Sequence, residues 1–402
     1  MSQSAAEQAA ALTQRADVVV RRDELEERLA LGRPLRVKLG VDPTARSVTL
    51  GWAVPLRKLR DFQDAGHTAV LIVGDFTARI GDPSGKSATR PQLDEATVRA
   101  NAEACVGQLL DVLSEDNLEI RYNSEWLAPL DLAGLLRLTS HVTVAQMLER
   151  EDFATRYEAH RPISLVEFMY PLLQAYDSVA VHADVELGGS DQLFNLLVGR
   201  DLQRAHGQRP QIVMTMPLLV GLDGVQKMSQ SLGNFVGVRD APGDMFGKLM
   251  SVPDELVGQY ASLGAQLDPD DVAALERAAA GGGPDAAGAK RAVARAVVAL
   301  YHGDDAAGAA EADFDRRFRD REVPQDVAEV ALDPELVGDA GVYLPRLLVA
   351  AGLAPSATAG RRLVEGRGVR IDGEIVDTPD VDAARVRGAV VQVGRRRAVR
   401  VV

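Results

Sequence analysis

The sequence predicts an α/β protein: a doubly wound parallel sheet, followed by a helical domain and a small α+β module. Three observations carry this expectation. Short apolar runs alternate with helix-length amphipathic stretches through the first part of the chain. Polar turns, Asp42-Pro43-Thr44, Gly81-Asp82-Pro83-Ser84-Gly85 and Gly188-Gly189-Ser190-Asp191, fall where strands of such a sheet would end. After Gly233-Asn234-Phe235 the pattern turns helical. Ligands of doubly wound sheets sit beyond the carboxyl ends of the strands, so three such turns on one edge imply one site.

Taken in order, residues from about Asp23 to Leu31 carry apolar side chains at helical spacing, and Leu35 to Val41 runs as a short strand into the first turn. Gly51 to Ala65 reads as a helix, His67 to Val73 as a fully apolar buried strand, and Gly74 to Lys86 as a polar turn region. The stretch Tyr170-Pro-Leu-Leu-Gln-Ala-Tyr-Asp reads as a half-buried helix with Pro171 in its first turn. Helices are expected over 241–250, 253–263 and 290–302, separated by the loose Ala-Gly segment 278–290. A linker at 331–342 leads to two short helices and glycine-bounded strands over 343–402, with no internal repeat.

At 402 residues and 46% hydrophobic the chain is too long for one comfortable core, and two or three domains are expected. No window approaches the roughly 20 apolar residues of a membrane span, and the first residues lack a signal-peptide pattern. The single cysteine, Cys105, excludes a disulfide framework and a Cys-rich metal site, and fits a cytoplasmic protein. A net charge of -13 argues against non-specific coating of nucleic acid. The charge is uneven, however. Residues 343–402 hold eleven Arg against six acidic residues, so this tail alone has the sign that a phosphate backbone attracts.

Several motifs could carry chemistry. Ile80-Gly-Asp-Pro-Ser-Gly-Lys is not a P-loop, because that motif needs glycine five residues before Gly85 and position 80 is Ile. The six histidines are scattered, so no metal centre is expected. Tyr170, Gln174 and Asp177 share one helix face, where a phenol, an amide and a carboxylate can fix a small polar ligand. A carboxylate on such a helix needs a specific partner. Lys227-Met228-Ser229-Gln230-Ser231 is a polar loop of the kind that closes on phosphates.

Together and in this order, the elements resemble the tyrosyl-tRNA synthetases, which are class I aminoacyl-tRNA synthetases. Leu39-Gly-Val-Asp-Pro-Thr-Ala, Ile80-Gly-Asp-Pro-Ser-Gly-Lys, the Tyr170/Gln174/Asp177 helix, Gly188-Gly-Ser-Asp-Gln192 and Lys227-Met-Ser-Gln-Ser match that family's blocks. Residues 343–402 are similar to the S4 RNA-binding domain of its bacterial members. Lys38, where other members have Tyr, looks like one bacterial subgroup. The resemblance implies a Rossmann-like catalytic domain at 1–232, a helical anticodon-binding domain at 233–330, the linker, and an S4-like domain at 343–402.

It also implies a tyrosine–tRNA ligase, with L-tyrosine, ATP and tRNA(Tyr) as partners, Mg2+ accompanying ATP, no tightly bound cofactor, and a homodimer in which one tRNA touches both subunits. By the match, Tyr170, Gln174 and Asp82 hold the substrate ammonium, Asp177 accepts the phenol hydroxyl, Gln192 orients the carboxylate, and Lys38 completes the tyrosine pocket. Gly189 and Asp191 contact the ribose, while Gly40, Asp42, Thr44, Lys227 and Met228 line the ATP. A hydroxyl read by a buried acceptor excludes phenylalanine by about 10⁴–10⁵, a magnitude for which this family is itself the reference case. Arg361, Arg362 and Arg367 are the expected RNA contacts.

Two departures fall on the ATP side. The His-Ile-Gly-His signature is Thr49-Leu50-Gly51-Trp52, and Lys-Met-Ser-Lys-Ser is Lys227-Met228-Ser229-Gln230-Ser231. Thr49, Gly51, Trp52, Lys227, Ser229 and Ser231 remain the expected catalytic positions. The helix N-terminus still offers amide donors to phosphate. Loss of the second lysine removes a charged transition-state donor, about 2–4 kcal/mol. The alternative reading is a paralogue with an impaired ATP site that serves as a tyrosine- or tRNA-binding accessory protein, or activates a tyrosine-like amino acid in secondary metabolism.

Overall fold

The computed structural model describes residues 3–44, 46–82, 94–318, 328–333, 336–338, 341–394 and 397–402. Its described residues fall into two compact units, Met1–Asp304 and Asp305–Val402.

The first unit is built on a six-stranded sheet with strands β1 (Val18–Val20), β2 (Arg36–Val41), β3 (Thr68–Val73), β4 (Leu118–Tyr122), β5 (Val185–Gly189) and β6 (Ile212–Met216), in the order β1-β6-β5-β2-β3-β4. Only β1 runs antiparallel, along β6; the other five strands are parallel. The chain builds outward from β2 through β3 to β4, then returns to the other side of β2 to lay down β5 and β6. The gap between the carboxyl ends of β2 and β5 is therefore the switch point, where a doubly wound sheet opens a crevice. Apolar β3 and β6 are buried on both faces, as strands covered by helices must be.

The helix Leu50–Asp64 begins at Thr49, whose Oγ1 accepts the Trp52 amide at 3.3 Å. The helix Leu165–Ala180 starts earlier than its proline suggests: Glu167 Oε1 accepts the Ser164 amide at 2.9 Å, so Pro171 lies in the interior and not in the first turn. The expected loose segment at 278–290 is also mostly helical. Helices Pro269–Ala280 and Gly283–His302 leave only Gly281 and Gly282 between them. Alanine is the strongest helix former, and burial of Ala286, Ala289 and Val293 holds the start of the second helix. The expected helix at 253–263 is instead three short turns, Asp254–Leu256, Val257–Gln259 and the π-turn Tyr260–Gly264.

The second unit takes in the helix Asp304–Phe318 from Asp305 onward and closes on its own core of Leu344, Leu347, Leu348, Val364, Val369, Val391 and Val401. The expected linker lies partly inside this unit. Ala328–Val330 pairs in parallel with Arg397–Val401, Val337–Gly338 pairs with Gly341–Tyr343, and Leu332, Leu336 and Val337 pack against the core. Their apolar side chains explain the difference, since a free linker would leave them in water.

Candidate active site

Strand β2 delivers Asp42 to the switch point, and two hydroxyls hold it there. Tyr170 donates to Oδ2 and Thr77 to Oδ1, both at 2.8 Å. Gly74 follows β3 and permits this approach, because a Cβ there would lie 2.0 Å from Asp42 Oδ1. Burial, and then the neighbouring Asp42, push the Tyr170 phenol well above its usual range, so it acts as a neutral donor.

Asp177 lies two turns further along the same helix and is almost wholly buried. Trp126 Nε1 donates to its Oδ1 at 2.8 Å and Asn123 Nδ2 to its Oδ2 at 3.4 Å. Asn123 also donates to Thr77 at 3.0 Å, so one hydrogen-bonded chain joins Tyr170, Asp42, Thr77, Asn123 and Asp177. Burial raises the Asp177 carboxyl to about 7, with Lys38 and the two hydrogen bonds opposing the rise.

Lys38 does not line the pocket as expected. It is fully buried, directly opposite Glu186 in the β2–β5 register. Its three donors go to Glu186 Oε1, Gln174 O and Ser178 Oγ, each at 2.8 Å. An ammonium has three N–H groups and none remains for a ligand. Lys38 thus acts through its neighbours: it ties the helix carrying Gln174 and Asp177 to the sheet.

Gly188 and Gly189 end β5 and let neighbouring side chains approach its backbone closely. A Cβ on Gly189 would lie 2.8 Å from both Asp191 Oδ1 and Leu218. Gln192 Nε2 then reaches Asp82 Oδ2 at 2.8 Å. Asn195, at the start of the helix Leu193–Ala205, donates to Gln174 Oε1 at 3.0 Å and to Gln192 Oε1 at 3.1 Å.

On the opposite side of the switch point, the 227–231 loop lies against the N-terminus of the Leu50–Asp64 helix. The Gly51 amide points at Met228 Sδ, 3.3 Å away, and a Cβ on Gly51 would touch Met228 Cβ at 3.4 Å. Lys227 Nζ pairs with Asp191 Oδ2 at 2.6 Å, and Gln230 Nε2 donates to the Ser47 carbonyl. The Ser229 amide donates to Asn234 Oδ1 at 2.8 Å, while the Ser229 and Ser231 hydroxyls are 2.9 Å apart. Thr49 is nearly buried as a helix cap, and Trp52 is half-buried one turn in. Gly40 lies exposed at the end of β2, and the Thr44 amide donates to the Asp42 carbonyl at 2.7 Å.

The family model for class I tRNA synthetases (W and Y) matches residues 30–319, and an S4 domain model matches 344–381. A tyrosine–tRNA ligase of Moorella thermoacetica is 49% identical over 94% of this chain and 90% of its own, and one of Geobacter sulfurreducens is 46% identical over 99% of both. The chain belongs to the tyrosyl-tRNA synthetases of class I. Among solved structures, a C-terminally truncated mitochondrial tyrosyl-tRNA synthetase of Aspergillus nidulans superposes with a TM-score of 0.63 at 22% identity, over 79% of this chain and 95% of that one. That likeness is one of fold.

Within this synthetase, the expected tyrosine-side residues fall into two hydrogen-bonded groups: Tyr170 and Asp177 are joined through Asp42, Thr77 and Asn123, and Gln174, Gln192 and Asp82 are joined through Asn195. On the ATP side Lys227 pairs with Asp191, and Met228 meets Gly51. Arg361, Arg362 and Arg367 are exposed in the second unit, with Arg361 paired to Glu365 at 2.8 Å. Pro83, Ser84, Gly85 and Lys86 of the second block lie outside the described residues. Sequence reasoning missed Thr77, Asn123, Trp126, Arg150, Glu186 and Asn195. Asn123 carried a signal, because it directly follows β4 on the same edge as the other turns.

Proposed function

We propose that this synthetase activates L-tyrosine with ATP and passes the tyrosyl group to the terminal ribose of tRNA(Tyr). In the first step the tyrosine carboxylate attacks the α-phosphorus and the bond to the β-phosphate oxygen breaks. Pyrophosphate leaves with the electron pair. In the second step a ribose hydroxyl displaces AMP from the acyl carbon. Neither step requires a covalent enzyme intermediate, so positioning and charge stabilisation supply the acceleration.

The observation that carries this reading is the buried Asp177 carboxylate at the far end of a polar chain from Asp42 and Tyr170. Such an arrangement suits an amino acid whose side chain ends in a hydroxyl donor. Tyr170, Gln174 and Asp82 take the ammonium, Gln192 the carboxylate, and Asp177 the phenol. On the nucleotide side, Gly189 and Asp191 take the ribose, with Gly40, Asp42 and Thr44 beside the α-phosphate. Thr49, Gly51 and Trp52 present the helix N-terminus, and Lys227, Met228, Ser229 and Ser231 close over the phosphates. Among the described residues no group of three or more His, Cys, Asp or Glu side chains is placed to hold a metal. Mg2+ would therefore enter with the triphosphate, which supplies most of its ligands.

The described residues include no helix long and apolar enough to cross a membrane, and we place the enzyme in the cytoplasm. Leu132, Leu136, Val144, Tyr157 and Leu165 are exposed on neighbouring segments of the first unit, which supports a homodimer. The helical region at 233–330 is assigned to the anticodon and the 343–402 module, through Arg361, Arg362 and Arg367, to the tRNA backbone.

The test is tyrosine-dependent exchange of labelled pyrophosphate into ATP by purified protein, with and without tRNA. Exchange within about 10²–10³ of an ordinary synthetase supports a working ligase with a variant ATP site. Calorimetric binding of tyrosine without exchange would overturn it in favour of an accessory binding protein.

A further inference from the structure

Arg150 and Asn195 are buried beside the proposed tyrosine pocket, and no step assigned above uses them. Arg150 is fixed on its own side: Nε and Nη2 grip the Asp152 carboxylate at 2.6 and 3.0 Å, and the guanidinium lies over the Phe153 ring at 4.5 Å. Its remaining nitrogen, Nη1, donates to Asn195 Oδ1 at 3.1 Å. A guanidinium can only donate, so Asn195 has to present its oxygen to Arg150 and its Nδ2 to the other side. That Nδ2 lies 3.0 Å from Gln174 Oε1 and 3.1 Å from Gln192 Oε1, so both glutamines have to present their oxygens to Asn195.

The far ends of the two glutamines agree. Gln192 Nε2 faces the Asp82 carboxylate at 2.8 Å, and Gln174 Nε2 faces Glu186 Oε1 at 3.4 Å. Carboxylates only accept. Three amides are therefore strung between one cation and two anions, and every donor points away from Arg150. A side-chain amide in solvent turns over freely; these three have one permitted orientation.

We infer that Arg150, acting through Asn195, is a positioning device that sets the polarity of the Gln174 and Gln192 amides and so decides that Gln192 offers an N–H, not a C=O, to the amino-acid carboxylate. This rests on the tyrosine pocket proposed above, with Gln192 at the substrate carboxylate. The pair touches no reacting atom.

The decisive variant is Asn195→Asp in the full-length protein. It keeps the shape and still accepts from Arg150, but it cannot donate, so the glutamine oxygens lose the donor that held them and face a carboxylate, and a flipped orientation, in which Gln192 shows its oxygen to the substrate carboxylate and to Asp82, competes with the native one. The KM for tyrosine in pyrophosphate exchange should rise at least tenfold while the KM for ATP stays within twofold. The Ki of tyramine, which lacks the carboxylate, should change less than threefold, so preference for tyrosine over tyramine falls. Arg150→Lys preserves a donor-only partner and should keep that preference; Arg150→Gln, which can donate or accept, should lose part of it.

Gln192→Ala is run beside them. If it leaves the tyrosine KM unchanged, the pocket assignment itself fails. If it raises that KM while Asn195→Asp changes tyrosine and tyramine equally, or neither, the polarity device is refuted and Asn195 is only a packing residue. A wild-type KM for ATP in each variant reports that the fold is intact.

Discussion

The indole N–H of Trp126 donates to Oδ1 of Asp177 at 2.8 Å, so the carboxylate proposed to read the substrate phenol is held by a residue on a separate short helix, Ser124–Leu127. Removing a donor to a buried charge costs about 1.5–3 kcal/mol. Trp126→Phe, which keeps most of the volume, should weaken tyrosine binding roughly tenfold or more and leave ATP binding unchanged. Calorimetric titration with each ligand checks this, and equal weakening of both would show that the ring only supports the fold.

Asp177 titrates at about 7 in the unliganded protein because burial disfavours its charge. A phenol donates best to the ionised form, so tyrosine binding should release a proton near neutrality, and the KM for tyrosine should climb as pH falls below about 7. The linkage with stability has the opposite sense. Against an ordinary value of 3.8, the folded state holds this proton between pH 4 and 7, so the group's contribution to stability falls as pH rises through that window. Thermal melts from pH 4 to 8 should show Asp177→Asn gaining on the wild type toward the alkaline end.

Gly74→Ala should disable activation through Asp42, which is placed beside the α-phosphate and is bonded to Tyr170 of the ammonium site. The new Cβ would fall 2.0 Å from Asp42 Oδ1 and 2.5 Å from Thr77 Oγ1, so the carboxylate that joins these hydroxyls has to move. Positioning errors of this size cost about 10² in rate. Pyrophosphate exchange falling by less than threefold would show that Asp42 tolerates the shift.

Gln230→Lys restores a cation to the signature loop, and its side chain must first leave the Ser47 carbonyl. Activation should speed up by as much as about 10², the scale of one charged transition-state donor. Thr49→His with Trp52→His should bring no such gain: Thr49 caps the helix, and losing the cap costs about 1 kcal/mol. Rescue by the double histidine variant, from an otherwise inert protein, would mark the wild type as a binding protein.

Truncation has to respect the second unit. Cutting before Tyr343 would leave the Ala328–Val330 strand without Arg397–Val401 and expose Leu332 and Leu336. A chain ending at Asp304, the boundary between the two units, should retain tyrosine activation and lose most tRNA charging at physiological salt. Unchanged charging would remove the assigned RNA role from Arg361, Arg362 and Arg367.

Much of the site was legible before any coordinates. Local rules suffice for turns that follow strands and for a helix face that repeats every three to four residues, so Asp42, Asp82, Tyr170, Gln174, Asp177 and Asp191 could be picked out in advance, while Gln192 came only through the family resemblance. Composition misled where tertiary contacts compete with it. The Ala-Gly segment at 278–290 became helix because its alanines found a core, and the presumed linker joined a sheet because its leucines did.

By itself, the sequence determined the alternation of strand and helix, the polar turns at the strand ends, and the identity of the groups that meet there. Each of these depends on residues a few positions apart. Only the tertiary structure decided what those groups do to one another. Lys38 and Glu186 are far apart in the chain yet oppose each other across β2 and β5, which takes the lysine out of the pocket and makes it a strut. Arg150, at the head of the helix Glu151–Glu158, and Asn195, on Leu193–Ala205, are 45 residues apart and meet only in the fold, and their donor and acceptor chemistry then fixes amides that a sequence can name but cannot orient. Hydrogen-bond polarity depends on which atoms touch, and contact across the chain is a property of the fold.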